Sequence, residues 1–233
     1  MFFISPPFGN YLQLPNTINI KGSYTLEPRP GKWGQILKTL RYSNVYKGWI
    51  NKIGLRNEGL VSALKKFDNS KSIMSIAILK HEEVKKIENM IPKDLNIELN
   101  VSCPNLDKSL INNDLHIFLN DQRKWCIIKL SPLESKESID NYYNQGFRQF
   151  HVSNTLPTRR GGVSGKELQP FTNKHIDYIK SNYDDTTIIA GGGVKTKEDA
   201  INYINRGANY VSISTLCFTP FSFIKFYYNM IKN

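Results

Sequence analysis

Cysteine is scarce, with three residues at positions 103, 126 and 217. An odd number at wide spacing excludes a disulfide framework and matches no zinc-binding pattern. It points instead to a reducing, cytoplasmic compartment and at least one free thiol. Long apolar runs are also missing. None approaches the roughly 20 residues that a membrane-spanning helix needs, so no membrane association is expected. The opening stretch Met1-Phe-Phe-Ile-Ser-Pro-Pro-Phe-Gly-Asn10 is apolar, but Pro6 and Pro7 interrupt it and no basic region leads into it. It therefore reads poorly as a signal peptide. There is no low-complexity tract, no linker-like stretch and no sequence repeat. Acidic residues are in deficit, 20 against 31 Lys and Arg, which gives a formal net charge of +11. Such an excess fits a lysine-rich surface, and it also admits an anionic partner: a phosphate cofactor, an acidic substrate or nucleic acid. The basic residues are scattered rather than clustered, so charge alone does not argue for nucleic acid.

What is present suits a folded chain. The 233 residues, 40% hydrophobic and 12% aromatic, are enough for one domain spanning 1–233 with a full core. Eight short apolar, β-branched runs end in Ser, Thr, Asn or Gly: 2–5, 18–24, 73–79, 96–102, 125–130, 149–154, 187–191 and 210–214. A further run at 45–54 reads as an inserted hairpin. Helical patterns cover 58–67, 81–90, 134–144, 171–182 and 219–231. Another starts at a capping signal, Thr196-Lys-Glu-Asp199, carries Ala200, Ile201 and Ile204 as a stripe, and stops at Gly207. Strand–helix alternation implies a parallel sheet. Eight units favour closure into an α/β (β/α)8 TIM barrel, a small one given that about 250 residues is typical.

In such a barrel the chemistry gathers at the C-terminal ends of the strands. Here those ends are polar and glycine-rich. Gly161, Gly162 and Gly165 around Ser164, and Gly191-Gly-Gly193 before a helix, read as loops whose backbone N–H groups approach an anion. Each alone is equally an ordinary turn. Together, at consecutive strand ends, they suggest a phosphate-bearing cofactor. Lys129 reads either as an outward, snorkelling lysine or as a cation in the barrel mouth that steadies negative charge on a reduced ring. Asn100, Asn105 and Asn154 fit turns or the amide and carbonyl edges of a planar ring. Cys103 lies between Ser102 and Pro104. Lone cysteines are mostly inert and buried, which is the reading for Cys126 and Cys217.

Taken in order, these segments resemble the dihydroorotate dehydrogenase family. The resemblance rests on Asn100-Val-Ser-Cys-Pro-Asn105, Lys129, Asn154-Thr155, Gly161-Gly-Val-Ser-Gly165 and Gly192-Gly193. Asn51-Lys-Ile-Gly-Leu-Arg-Asn57 looks like the family's hairpin asparagine motif. Gly22-Ser23, with Thr25 and Pro28 after it, looks like the end of its second strand. The likeness runs from about residue 18 onward.

It implies FMN across the barrel mouth, near Gly22, Ser23, Asn100 and Lys129. Ser164, Gly165, Gly192, Gly193, Ser214 and Thr215 would sit around its phosphate. Asn51, Asn100, Asn105, Asn154 and Thr155 would bind the pyrimidine, dihydroorotate or orotate. Cys103 would be the catalytic base, as in the soluble class; the membrane-associated class has serine there and an N-terminal helical extension, which is not expected here. A homodimer would be in keeping with the family. One departure stands out. Where the family usually places a lysine for the substrate carboxylate, two alignments put Asn10 or Gly22, with Lys21 one residue away.

Three other readings compete. One is a dihydropyrimidine reductase acting on uracil-like rings, which the departure favours. Another is a non-catalytic flavin module, which the retained cysteine and asparagines oppose. The third is a dihydrouridine-synthase-like tRNA reductase. It suits the charge, but Ser102 stands where that family has glycine, and nothing resembling an RNA-binding extension is expected.

Overall fold

The computed structural model describes residues 1–101 and 114–231. In chain order the strands are β1 (Phe2–Ile4), β2 (Thr17–Thr25), β3 (Arg41–Ser43), β4 (Gly48–Asn51), β5 (Ser72–Ala77) and β6 (Ile97–Asn100). They continue as β7 (Cys126–Lys129), β8 (Gln149–Val152), β9 (Leu156–Thr158), β10 (Gly161–Gly165), β11 (Thr187–Ala190) and β12 (Tyr210–Ile213). Eight of them close into a parallel barrel in the order β1-β2-β5-β6-β7-β8-β11-β12. These are the eight runs read from the sequence, so the expected (β/α)8 TIM barrel is the observed fold.

Helices Leu60–Leu64, Glu83–Met90, Lys136–Asn144, Gln169–Asn182, Lys197–Asn205 and Pro220–Ile231 occupy the places the periodicity assigned. The capping box at Thr196 is formed, with Asp199 reciprocating. A further helix, Lys32–Thr39, has no buried residue and was not foreseen. Among the described residues, no helix is long and apolar enough to cross a membrane.

Period-2 alternation sorts each barrel strand into an outer and an inner set. Outer residues such as Phe2, Ile4, Met74, Ile76, Leu99, Ile128, Phe150 and Ile188 pack against helix residues Val84, Ile87, Ile139, Tyr142, Ile176 and Phe226. Each fully buried side chain of this size stabilises the fold by about 1.5–3 kcal/mol. Inner residues Phe3, Ile20, Ile73, Trp125, Ile127 and Ile189 form a separate cluster with no helix residue in it, which fills the barrel's lower part.

The inserted hairpin is larger than 45–54 suggests. Strands β3 and β4 pair antiparallel, and β4 pairs with β10, which pairs with β9. Two insertions far apart in sequence thus build one four-stranded side sheet. This corrects the reading of 161–165 as a loop: it is strand β10, with Gly162 opposite Asn51 and Ser164 opposite Trp49. Its glycines serve a close crossing. A Cβ on Gly48 would lie 2.5 Å from Ser164 O, and one on Gly165 would lie 2.8 Å from Gly48 Cα. A row of ring contacts, Tyr42–Trp49–Phe218–Phe8, with centroids 5.8, 4.5 and 4.8 Å apart, ties the side sheet to the turns after β12 and β1.

Candidate active site

Along the inner face of each strand, the chemistry changes toward the C-terminal end. Ser5 follows Phe3, Ser75 follows Ile73, Lys129 follows Ile127 and Ser212 follows Tyr210, each two residues on and therefore on the same face. Glu98 and His151 join this layer, and both are at most 1% exposed. Neither was singled out from the sequence.

Glu98 is the hub. Its Oε1 accepts from Ser75 Oγ at 2.7 Å and from Lys129 Nζ at 3.3 Å, while Oε2 lies 2.5 Å from His151 Nδ1. Burial pushes its carboxyl up. The Lys129 charge, with hydrogen bonds from His151 and Ser75, outweighs this and holds it low, at about 2. Burial pushes the His151 imidazole down, against the pull of Glu98. A neutral imidazole facing a carboxylate carries its proton on the facing nitrogen, so Nδ1–H donates to Glu98. The cluster is then charge-balanced, one carboxylate against one ammonium. A buried ion pair persists on those terms.

A second line of hydrogen bonds runs from Glu98 to the cleft. Ser75 spends its only hydroxyl proton on Glu98, so Ser23 Oγ, 2.7 Å away, donates to Ser75. Asn100 Nδ2 donates to Ser23 Oγ at 2.9 Å, and Asn154 Nδ2 donates to Asn100 Oδ1 at 3.3 Å. Every bond in this chain points toward the carboxylate, and aligned chains of this kind polarise one another.

Above this layer lies a cleft of about 1530 Å³, larger than a usual single-ligand pocket. Gly22, Ser23, Asn51, Asn100, Lys129, Asn154, Thr155, Ser164, Ser214 and Thr215 all line it. A smaller cavity of about 80 Å³ adjoins it, and both share Lys129, Asn154, Thr155, Ser164, Ser214 and Thr215. Gly192, Gly193 and His151 line only the smaller one. Gly192 and Gly193 have φ of 89° and 74°, a region that favours glycine. Among the described residues no acceptor meets their N–H groups. The following helix does not offer its N-terminus: it starts at Lys197, and none of its residues lines either cavity. The anion-binding reading of 191–193 therefore rests on the loop rather than on the helix.

Other expectations fall differently. Gly165 lines neither cavity and serves the crossing with Gly48. Cys103 and Asn105 lie outside the described residues. Asn51 caps its own turn, accepting from Ile53 N–H at 3.3 Å. Asn10 is committed to backbone: its Oδ1 accepts from Gly22 N–H at 2.9 Å, and its Nδ2 donates to Pro7 O and Gly22 O. It thereby pins the bulge where β2 slips register between Lys21 and Tyr24. Lys21 lines the cleft, with Nζ 5.9 Å from the ring centre of Phe67, which lines it too. Cys126 and Cys217 are shielded by burial, which pushes both thiols up to about 12.

A closed parallel β/α barrel with a polar, cation-bearing layer beneath a large mouth cleft defines a barrel enzyme. The dihydroorotate dehydrogenase family model matches residues 10–148 and 138–227, and the chain belongs to that family of oxidoreductases. It is 29% identical over 252 residues to the dihydroorotate dehydrogenase B (NAD(+)) catalytic subunit of Endomicrobium trichonymphae, covering 91% of this chain and 80% of that one. It is 31% identical over 231 residues to a putative dihydroorotate dehydrogenase A (fumarate) of Streptococcus agalactiae, covering 82% and 72%. Among solved structures, Eimeria tenella DHODH in complex with ferulenol shares the fold, with a TM-score of 0.64 at 17% identity, covering 85% of this chain and 70% of that one.

Proposed function

We propose that the protein oxidises dihydroorotate to orotate, a step of pyrimidine biosynthesis, with FMN held across the barrel mouth. The observation that carries this is convergence. Lys129, Asn100, Asn154 and Thr155 line one cleft, and the unpartnered N–H groups of Gly192 and Gly193 line a cavity opening from it. That donor set suits a flavin ring at Lys129 and a phosphate near Gly192, Gly193, Ser214 and Thr215. Asn51, Asn100, Asn105, Asn154 and Thr155 then take the polar edges of the pyrimidine.

When bound, FMN supplies the hydride acceptor, N5, for the hydrogen leaving C6 of dihydroorotate. Cys103 removes the proton from C5. Cys126 and Cys217 do not compete for that role, because their buried thiols stay protonated near neutral pH. The substrate carboxylate meets a cationic wall: Lys21, Arg29, Lys32, Lys52, Arg56 and Lys66 line the cleft with Glu58 as the acid among the lining residues. This replaces a single lysine at Asn10 or Gly22.

The test is anaerobic stopped-flow reduction of the flavin-loaded protein. Dihydroorotate bleaches the flavin under this reading. A protein that takes up no FMN, or one reduced by dihydrouracil and not by dihydroorotate, refutes it.

A further inference from the structure

The layer beneath the cleft contains two titratable groups for which the proposed reaction has no use, Glu98 and His151. Both are sealed from solvent, yet both touch groups that are not. Lys129 reaches the cleft, and His151 lines the small cavity beside Gly191 and Gly192. With Nδ1 committed to Glu98, the free edge of the ring is Nε2, which lies 3.3 Å from where a Cβ on Gly191 would stand. Among the described residues no group hydrogen-bonds Nε2. Ser5 and Ser212 pair at 2.5 Å, Ser153 pairs with Thr172 at 3.1 Å, and Thr172 donates to Gly191 O. A ligand in that cavity is therefore met by an acceptor nitrogen.

Resting on the flavin reading above, we propose that Glu98 is a positioning residue for the cofactor. It holds Lys129 Nζ beneath the flavin ring, and it fixes His151 in the tautomer whose Nε2 accepts a hydroxyl from the cofactor's sugar-alcohol chain. The chemical argument has two parts. Lys129 is a cation whose field at the cleft is offset by a carboxylate 3.3 Å away, so Glu98 sets how much positive charge the ring feels. A histidine between a carboxylate and a polyol hydroxyl can donate to one and accept from the other only as the neutral Nδ1–H form. Burial favours that neutral form.

Two measurements test this, beginning with FMN binding to the wild type. In Glu98→Gln, Lys129 loses its counter-charge, so the reduced, more negative flavin is favoured. Its two-electron potential rises by about 30 mV or more, equivalent to a tenfold change in relative affinity. In a Lys129→Met background the buried Glu98 carboxyl has lost its counter-charge and takes up a proton, so adding Glu98→Gln leaves the potential unchanged. That double variant also removes both buried charges together, so it remains measurable where Glu98→Gln alone fails to fold. In His151→Asn, the amide still donates to Glu98 but nothing reaches the cavity. Its Kd for FMN rises at least tenfold, while its Kd for lumiflavin, which has no sugar-alcohol chain, stays within twofold. Equal weakening toward FMN and lumiflavin, unchanged FMN affinity, or a potential shift that persists without Lys129 each overturns the proposal. A wild type that binds no FMN refutes the flavin reading itself, before any variant is made.

Discussion

The two ends of the barrel interior share strands β1, β5 and β7 and differ in the chemistry of their side chains. The lower end is a plug of Phe3, Ile20, Ile73, Trp125, Ile127 and Ile189, with Trp125 edge-on to Phe3 and Tyr210 at 5.5 and 5.8 Å. One pleat higher, Phe3, Ile73 and Ile127 give way to Ser5, Ser75 and Lys129, and Glu98, His151 and Ser212 join them from β6, β8 and β12. The plug needs no partner to be favourable, since burial alone stabilises it. The upper layer is costly unless each member is paired, and its hydrogen bonds meet that cost by converging on Glu98. A barrel strand thus assigns stability and chemistry to positions only two residues apart.

This division can be tested from both ends. The largest effect is expected at the proposed base: Cys103→Ser should lower the rate of flavin reduction by roughly 10²–10⁴-fold, the usual worth of a positioned base. Cys126→Ser and Cys217→Ser should leave that rate nearly unchanged. Wild-type speed in Cys103→Ala would move the base elsewhere. At the other end, Phe3→Ala should cost about 3–5 kcal/mol in urea unfolding while the folded fraction keeps its FMN affinity. Lost affinity at unchanged stability would break the division.

A smaller effect separates the layers by pH. The Glu98 carboxyl is held at about 2, below its ordinary 4.5. A depressed folded-state pKa contributes stability above the unfolded value and loses it as pH falls toward the folded one. The stability gap between wild type and Glu98→Gln should therefore narrow from pH 5 to pH 2, and a gap independent of pH would contradict the ion pair. The smallest effect lies outside the barrel. Thr196→Ala removes one arm of a capping box and should cost about 1 kcal/mol. That is a Tm drop of about 2–4 °C for a chain of this size, with kcat untouched.

The barrel was legible because its eight strands are short β-branched runs ending in turn residues, and the helices between them show apolar stripes and caps. The helix Lys32–Thr39 was not, because it buries none of its residues and so carries no core-facing signal. Strands β9 and β10 were hidden by composition: Gly161-Gly-Val-Ser-Gly165 reads as a loop, and only the crossing against Gly48 explains its glycines. Most of the described site residues expected from strand-end polarity and family likeness do line the cleft, whereas Lys32, Trp33 and Lys66 on its wall carried no such signal. Glu98 and His151 were missed although a signal was present, a charged and an aromatic polar residue inside Ile97-Glu-Leu-Asn100 and Gln149-Phe-His-Val152. Alternation says such residues share a face, but which face is inner depends on how the sheet closes. Asn10 was placed as a stand-in for a lysine, whereas its amide is spent on the Gly22 backbone, a contact that no local pattern encodes.

The side sheet has a consequence for the order of events during folding. Its central pairing joins Asn51 to Gly162 and Trp49 to Ser164, segments from opposite halves of the chain. Contacts of such long sequence separation form only after the intervening chain has been closed up, because the entropy of closing the loop comes first. In this protein the intervening chain includes β5 to β8, half the barrel. The wall of the cleft is therefore late to assemble. Pulse-labelled hydrogen exchange should find the Ile50 and Val163 amides protected after those of Ile128 and Phe150. An incomplete barrel has no second wall with which to enclose a ligand, so capture of a cofactor waits on a finished fold.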